Sequence, residues 1–110
     1  MDKLIYLAQP YTGTQEQMIE RYDKACEVTA KLMRDGYYVF SPIAHSHGPA
    51  QYGLPKDFEY WKGYCELMIP KCDEVHVMTI SGWTTSIGVA SEIELADKLG
   101  IPVITFDPDE

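Results

Sequence analysis

The sequence predicts an α/β fold of the three-layer Rossmann-like (flavodoxin-like) kind, built on a parallel sheet in the strand order 2-1-3-4. Three observations carry that prediction. Short apolar runs alternate along the chain with segments whose apolar residues recur at helical spacing, the order that βαβ crossovers produce. The runs lack the strict alternation of a half-exposed strand, so they suit a sheet covered on both faces. A chain of 110 residues with 45% hydrophobic content supplies one modest core and not two. Residues 1–110 are therefore expected to form a single domain.

The first strand is the apolar run Lys3 to Ala8, stopped by Gln9-Pro10. From Thr14 to Arg34, the residues Met18, Tyr22, Ala25, Thr29 and Leu32 mark one face of a long amphipathic helix, and Asp35-Gly36 ends it. Tyr37 to Phe40 is β-rich and reads as the second strand, followed by a loop rich in His, Gly and Pro that runs to Pro55. Asp57, Trp61, Cys65 and Met68 fall at helical spacing between Pro55 and Pro70. The third strand is Glu74 to Thr79. After a polar loop at Ser81 to Thr85, Val89, Ile93 and Ala96 define an apolar face on a helix from Gly88 to Leu99, stopped by Gly100. Ile101 to Phe106 is the fourth strand. Right-handed crossovers give the order 2-1-3-4, which reverses between strands one and three. Ligands bind beyond the carboxyl ends of strands at such a reversal, so Gln9 to Thr14 and Ile80 to Gly88 are expected to line the site.

Composition narrows the partners. A formal charge of -8 with nine scattered Lys and Arg gives no basic stripe for polymeric nucleic acid. A small anion is still compatible, because amides at a helix start bind phosphate without a basic side chain. Cys26, Cys65 and Cys72 form no CxxC pair, and their odd number argues for reduced thiols and a cytoplasmic setting, with no metal, disulfide or other cofactor. The apolar runs are too short for a membrane span or a signal segment. The acidic end, Asp107 to Glu110, reads as a solvated tail.

The stretch Ser86-Ile-Gly88-Val-Ala-Ser-Glu92-Ile-Glu-Leu-Ala96 carries the chemistry. Gly88 allows close approach, Ser86 offers a hydroxyl, and the amides of the helix start favour an anion. Glu92 follows one turn later on the same side, where a carboxylate can attack an anomeric carbon or shield its developing charge. By itself, a Glu in an amphipathic helix is usually solvated, and Ser86 is nearly as well explained as a helix cap.

Tyr6 in Ile5-Tyr6-Leu7-Ala8, together with Ser86-x-Gly88-Val89-x-x-Glu92-x-x-x-Ala96, resembles the nucleoside 2-deoxyribosyltransferase superfamily, including its short bacterial and phage relatives. The resemblance covers nearly the whole chain. It implies that Glu92 is the nucleophile that forms a glycosyl-enzyme, that Tyr6 orients this carboxylate, and that the protein is a homo-oligomer acting on a nucleoside or nucleotide. Transferases of this group commonly carry Asp where Ser86 stands. The Ser pattern is more similar to the branch that hydrolyses nucleoside 5'-monophosphates, in which the Ser helps bind phosphate. Hydrolysis to a free base and a sugar 5-phosphate is therefore the leading expectation, with deoxyribosyl transfer and a non-catalytic nucleotide-binding module as alternatives.

One departure stands out: the resemblance implies an Asp near the base, and Cys65 occupies that position. Asp57, two helical turns earlier, is the preferred substitute acid, with Glu66 as the other candidate. His45 and His47 lie after strand two, where related hydrolases carry a His near the substrate; His45 is the chosen binding residue, and the pair alone is no zinc site. Tyr11 and Trp61 are expected to stack on base or sugar, with Trp83 a weaker candidate. His76 and Asp73 are expected to be structural, and Glu94 solvated.

Overall fold

The computed structural model describes residues 2–55 and 57–110. Strand β1 (Leu4–Ala8) lies between β2 (Tyr38–Phe40) and β3 (Glu74–Met78), and β4 (Val103–Phe106) pairs with the far side of β3. All three pairings are parallel, so the sheet runs β2-β1-β3-β4 as the crossovers require. Ile5 to Ala8 are all buried, the signature of a central strand covered on both sides.

Alternation along β1 and β3 divides the core in two. Leu7 and Met78 meet Val28 of helix α1 (Gln15–Arg34) on one face. Tyr6, Ala8, Val75 and Val77 pack on the other face against α3 (Phe58–Met68), its 3-10 continuation (Ile69–Lys71), and α4 (Ile87–Leu99). Each large side chain fully buried here contributes roughly 2 kcal/mol of transfer free energy.

Helix ends follow local chemistry. Thr14 and Gln17 form a reciprocal capping box at the start of α1. Ser86 caps α4, and Gly100 ends it in the left-handed conformation at φ 72°, which an L side chain resists. Asp73 fixes the approach to β3: its carboxylate accepts the Leu4 amide at 2.8 Å while its own amide donates to the Leu4 carbonyl at 2.8 Å.

The segment after β2 corrects the expectation of a loop to Pro55: residues Pro42–Ala50 form a helix, α2. The Ser41 hydroxyl accepts the Ala44 amide, and Pro42 sits in the first turn, where its missing N–H costs nothing. Pro49 comes one residue before the end. Packing against α1, with Ala50 buried, overrides the weak helical propensity of this Gly- and Pro-bearing stretch. Among the described residues, no helix is long and apolar enough to cross a membrane.

Candidate active site

The strand-order reversal opens a cleft of about 540 Å³ at the carboxyl ends of β1 and β3. Tyr6, by the alternation of β1, projects to the α3/α4 side, and Glu92, in the second turn of α4, meets it there. The Tyr6 hydroxyl donates to Glu92 Oε2 at 2.5 Å. Both side chains are buried, with Tyr6 1% and Glu92 6% exposed. Among the described residues no cation pairs with Glu92. Burial therefore pushes its carboxyl up to about 8, against the pull of the Tyr6 hydrogen bond, which favours the ionised form. The Tyr6 hydroxyl is raised well above its usual range, first by burial and then by the Glu92 charge.

Cys65, buried at the same floor, has its thiol pushed up to about 12 by burial and by Glu92. At neutral pH it is an uncharged, weakly polar wall. Where an Asp would add a second carboxylate, this chain has a thiol.

The structure brings Tyr6, Glu92, Asp57, Ser86, Gly88, Tyr11, His45 and Trp61 to the lining of this one cleft. Their geometries differ. Ser86 Oγ accepts the Val89 amide at 3.2 Å, so it caps α4, and its own proton stays available to a ligand. Gly88 is small because α3 is near: a Cβ there would lie 3.0 Å from Phe58 Cδ1. Asp57 holds the N-cap position of α3, yet its side chain makes no capping bond. Tyr11 Oη lies 2.6 Å from His47 Nδ1, and the His47 ring stacks on Tyr22 at 4.2 Å. Trp61 Nε1 donates to the Pro55 carbonyl at 2.7 Å. His45, exposed, packs its ring between Phe40 and Tyr64. Glu66 is exposed and not part of the lining, His76 pairs with Glu74, Glu94 is exposed, and Trp83 packs toward the core.

Arg21 lines the cleft outside the two stretches expected to do so. Arg21 Nη1 donates to the carbonyls of Tyr11 (3.2 Å) and Thr12 (3.0 Å), and Nη2 donates to Ser81 (3.2 Å), tying the loop after β1 to the loop after β3. A signal existed: Arg21 falls in register with Met18, Ala25 and Val28, on the helix stripe that faces inward. Gln9, the first residue of the stretch expected to line the site, is buried beyond the end of β1 and donates through Nε2 to the Arg21 carbonyl at 3.0 Å, while its Oε1 has no partner among the described residues.

Aromatic rings form a continuous series from floor to rim. Tyr6 meets Phe40 at 5.8 Å between centroids, Phe40 meets His45 at 5.8 Å, His45 meets Tyr64 at 5.7 Å, Tyr64 meets Trp61 at 5.3 Å, and Trp61 meets Tyr60 at 4.9 Å. These separations suit tilted and edge-to-face contacts, and the series gives one wall of the cleft flat aromatic surfaces. Among the described residues, no three of His, Cys, Asp and Glu converge as metal ligands.

A family model described as Domain of unknown function (DUF1937) matches residues 3–108. No curated protein matches the chain significantly. Among solved structures, the chain is similar to a 2-deoxyribosyltransferase from the psychrotolerant bacterium Bacillus psychrosaccharolyticus, described as a biocatalyst for the synthesis of antiviral and antitumoral nucleosides. The match has a TM-score of 0.58 and 28% identity, and it covers 96% of this chain and 72% of that chain. The chain therefore belongs to the family Domain of unknown function (DUF1937), on the fold of the nucleoside 2-deoxyribosyltransferase superfamily.

Proposed function

We propose that this chain is an enzyme that breaks the N-glycosidic bond of a nucleoside with Glu92 as nucleophile and passes the sugar to a second base, a reading supported by its similarity to the Bacillus psychrosaccharolyticus 2-deoxyribosyltransferase. The observation that carries this reading is the buried Tyr6–Glu92 pair at the floor of the cleft. With Oε2 held by the Tyr6 hydroxyl, Oε1 is left to approach the anomeric carbon. As the bond to the base lengthens, positive charge grows on the sugar beside a carboxylate that little water screens. A glycosyl ester on Glu92 results, and the departing base keeps the electron pair of the broken bond and takes up a proton. Attack by a nitrogen of the incoming base breaks the ester, returns the carboxylate and releases the proton that this nitrogen carried.

A second reading is hydrolysis of a nucleoside 5'-monophosphate to a free base and a sugar 5-phosphate. Ser86 favours it, because its hydroxyl proton and the first amides of α4 stand at the edge of the cleft, where a phosphate is well received. We further propose a homo-oligomer, which sedimentation at working concentration tests.

Deoxynucleosides and deoxynucleoside 5'-monophosphates, incubated with and without an acceptor base, separate the two chemistries. The expected result is a new nucleoside that forms only when acceptor is present. Base release restricted to monophosphates and independent of acceptor transfers the assignment to the hydrolase. If wild type and Glu92→Ala both bind nucleotides and neither releases base, the protein is a binding module and the enzymatic reading is lost.

A further inference from the structure

We infer that the cleft is suited to N-glycosides whose base carries a permanent positive charge, a quaternised pyridine-type or purine-type heterocycle, so that the base departs without needing a proton. This inference rests on Glu92 acting as the nucleophile and adds the class of leaving group.

Three features of the cleft converge on it. The first is charge. Two exposed carboxylates, Asp57 and Glu59, line the cleft beside the buried Glu92 carboxyl, and the cleft's one cation among the described residues, Arg21, has its guanidinium bonded to three backbone carbonyls. The whole chain, at -8, adds a field of the same sign. The second is the aromatic wall from Phe40 to Trp61, whose π faces attract a flat cation more strongly than a neutral ring of the same size.

The third is the scarcity of acid at the floor. A neutral base needs a proton or a strong hydrogen bond as it leaves. Cys65 stands where the resemblance led us to expect an Asp, and its thiol is pushed up to about 12. The hydroxyls of Tyr6 and Tyr11 are likewise raised, each chiefly by burial, which weakens them as donors of a full proton. His45 is exposed and engaged between two rings, and Asp57, the substitute acid preferred from the sequence, is exposed at the start of α3 rather than buried at the floor with Glu92. A cationic base removes the requirement.

The step balances without an added acid. A Glu92 oxygen bonds to the anomeric carbon, the carbon–nitrogen bond breaks, and its electron pair cancels the formal charge on nitrogen, so the base leaves neutral. Water or a second base then attacks the same carbon, the ester bond returns its electrons to Glu92, and one proton from the attacking nucleophile passes to solvent. The cation also helps to prepare the nucleophile. A buried carboxyl that favours its neutral form is drawn toward ionisation by a positive charge bound beside it.

The test compares matched pairs: 7-methylguanosine with guanosine, and the nicotinamide riboside cation with its neutral dihydro form, each as ribo- and 2-deoxyribonucleoside, with and without a 5'-phosphate. Base release is divided by the rate in buffer alone and by the rate with Glu92→Gln, which removes the intrinsic lability of the cations. The expected normalised preference for the cationic member is about 100-fold. In Asp57→Asn/Glu59→Gln, both exposed positions, the preference falls about 10-fold, and in Trp61→Leu about 5-fold. Equal normalised release from both members of each pair overturns the charge preference and leaves Glu92 chemistry standing. Release from neither member overturns both readings.

Discussion

Glu74 and Glu92 place carboxylates on opposite faces of the same sheet, and their surroundings drive them in opposite directions. Glu74, on the α1 face, accepts from Lys3 Nζ at 2.7 Å through Oε2 and pairs with His76 Nε2 at 2.8 Å through Oε1. The Lys3 hydrogen bond, and after it the His76 bond, hold this carboxyl below its usual range. Glu92, on the α3/α4 face, has one neutral hydroxyl for a partner and apolar neighbours around it, and it is pushed up to about 8. Two donors at a rim make a fixed ion that staples strands. One donor in a dry pocket leaves a group whose charge is costly and therefore responsive.

The strongest way to break this comparison is to exchange the charge at each site. Glu92→Gln keeps an oxygen for the Tyr6 hydroxyl and removes the proposed nucleophile. Turnover is expected to fall by about 1000-fold or more. Glu74→Gln, far from the cleft, is expected to leave the pH dependence of kcat/KM unchanged, and a comparable loss of turnover there would show that the contrast is misread.

Tyr6→Phe sharpens the role of the single donor. Removing it is expected to lower kcat by roughly 10- to 100-fold. Because the Tyr6 bond favours the ionised carboxylate, its loss moves the rising limb of kcat/KM from about 8 to higher pH. A limb that stays in place would mean that Tyr6 does not govern the ionisation of Glu92.

Stability against pH gives the smallest of these effects, and the two carboxylates contribute with opposite sign. Glu92 binds its proton more tightly folded than unfolded, so its contribution is complete below about 4.5 and is lost as pH rises toward about 8. With about 1.4 kcal/mol per pKa unit, the wild type is expected to lose a few kcal/mol over that window, while Glu92→Gln loses much less. Glu74 binds its proton less tightly folded than unfolded. Its contribution is present above about 4.5 and is lost as the medium is acidified. Glu74→Gln is expected to lower the Tm by a few degrees near neutrality and to converge with wild type in acid. Thermal melts of the three proteins from about pH 4 to about pH 9 read both trends.

Much of this arrangement is legible in the sequence, for identifiable reasons. The apolar runs of β1 and β3 dictate a covered parallel sheet, and the reversal between them locates the cleft before any side chain is placed. Ser86 and Glu92 stand out only through the resemblance to the nucleoside 2-deoxyribosyltransferase superfamily, since by themselves a helical Glu reads as solvated and Ser86 as a helix cap. Helix α2 was hidden because Gly48 and Pro49 read as loop, although Ser41-Pro42 is a recognisable helix start. Arg21 was hidden because a long cationic side chain on a surface helix is ordinarily solvated, and its three acceptors are main-chain carbonyls that leave no mark in the residue types. Gln9 opens a stretch expected to line the site, and it does, but its bond to the carbonyl of that same Arg21 leaves no mark in the residue types either.

Arg21 also joins parts of the chain that sequence order keeps apart. Gly13 and Gly82 both lie against its guanidinium: a Cβ at Gly13 would strike the Gln17 amide oxygen first and come within 3.3 Å of Arg21 Nη1, and one at Gly82, where φ is 93°, would come within 3.2 Å of Nη2. The two lips of the cleft are thereby riveted at one point. A loop grafted from a relative onto either lip must bring a matching rivet seat, and positions 13, 17, 21 and 82 form a single interchangeable part rather than four independent ones.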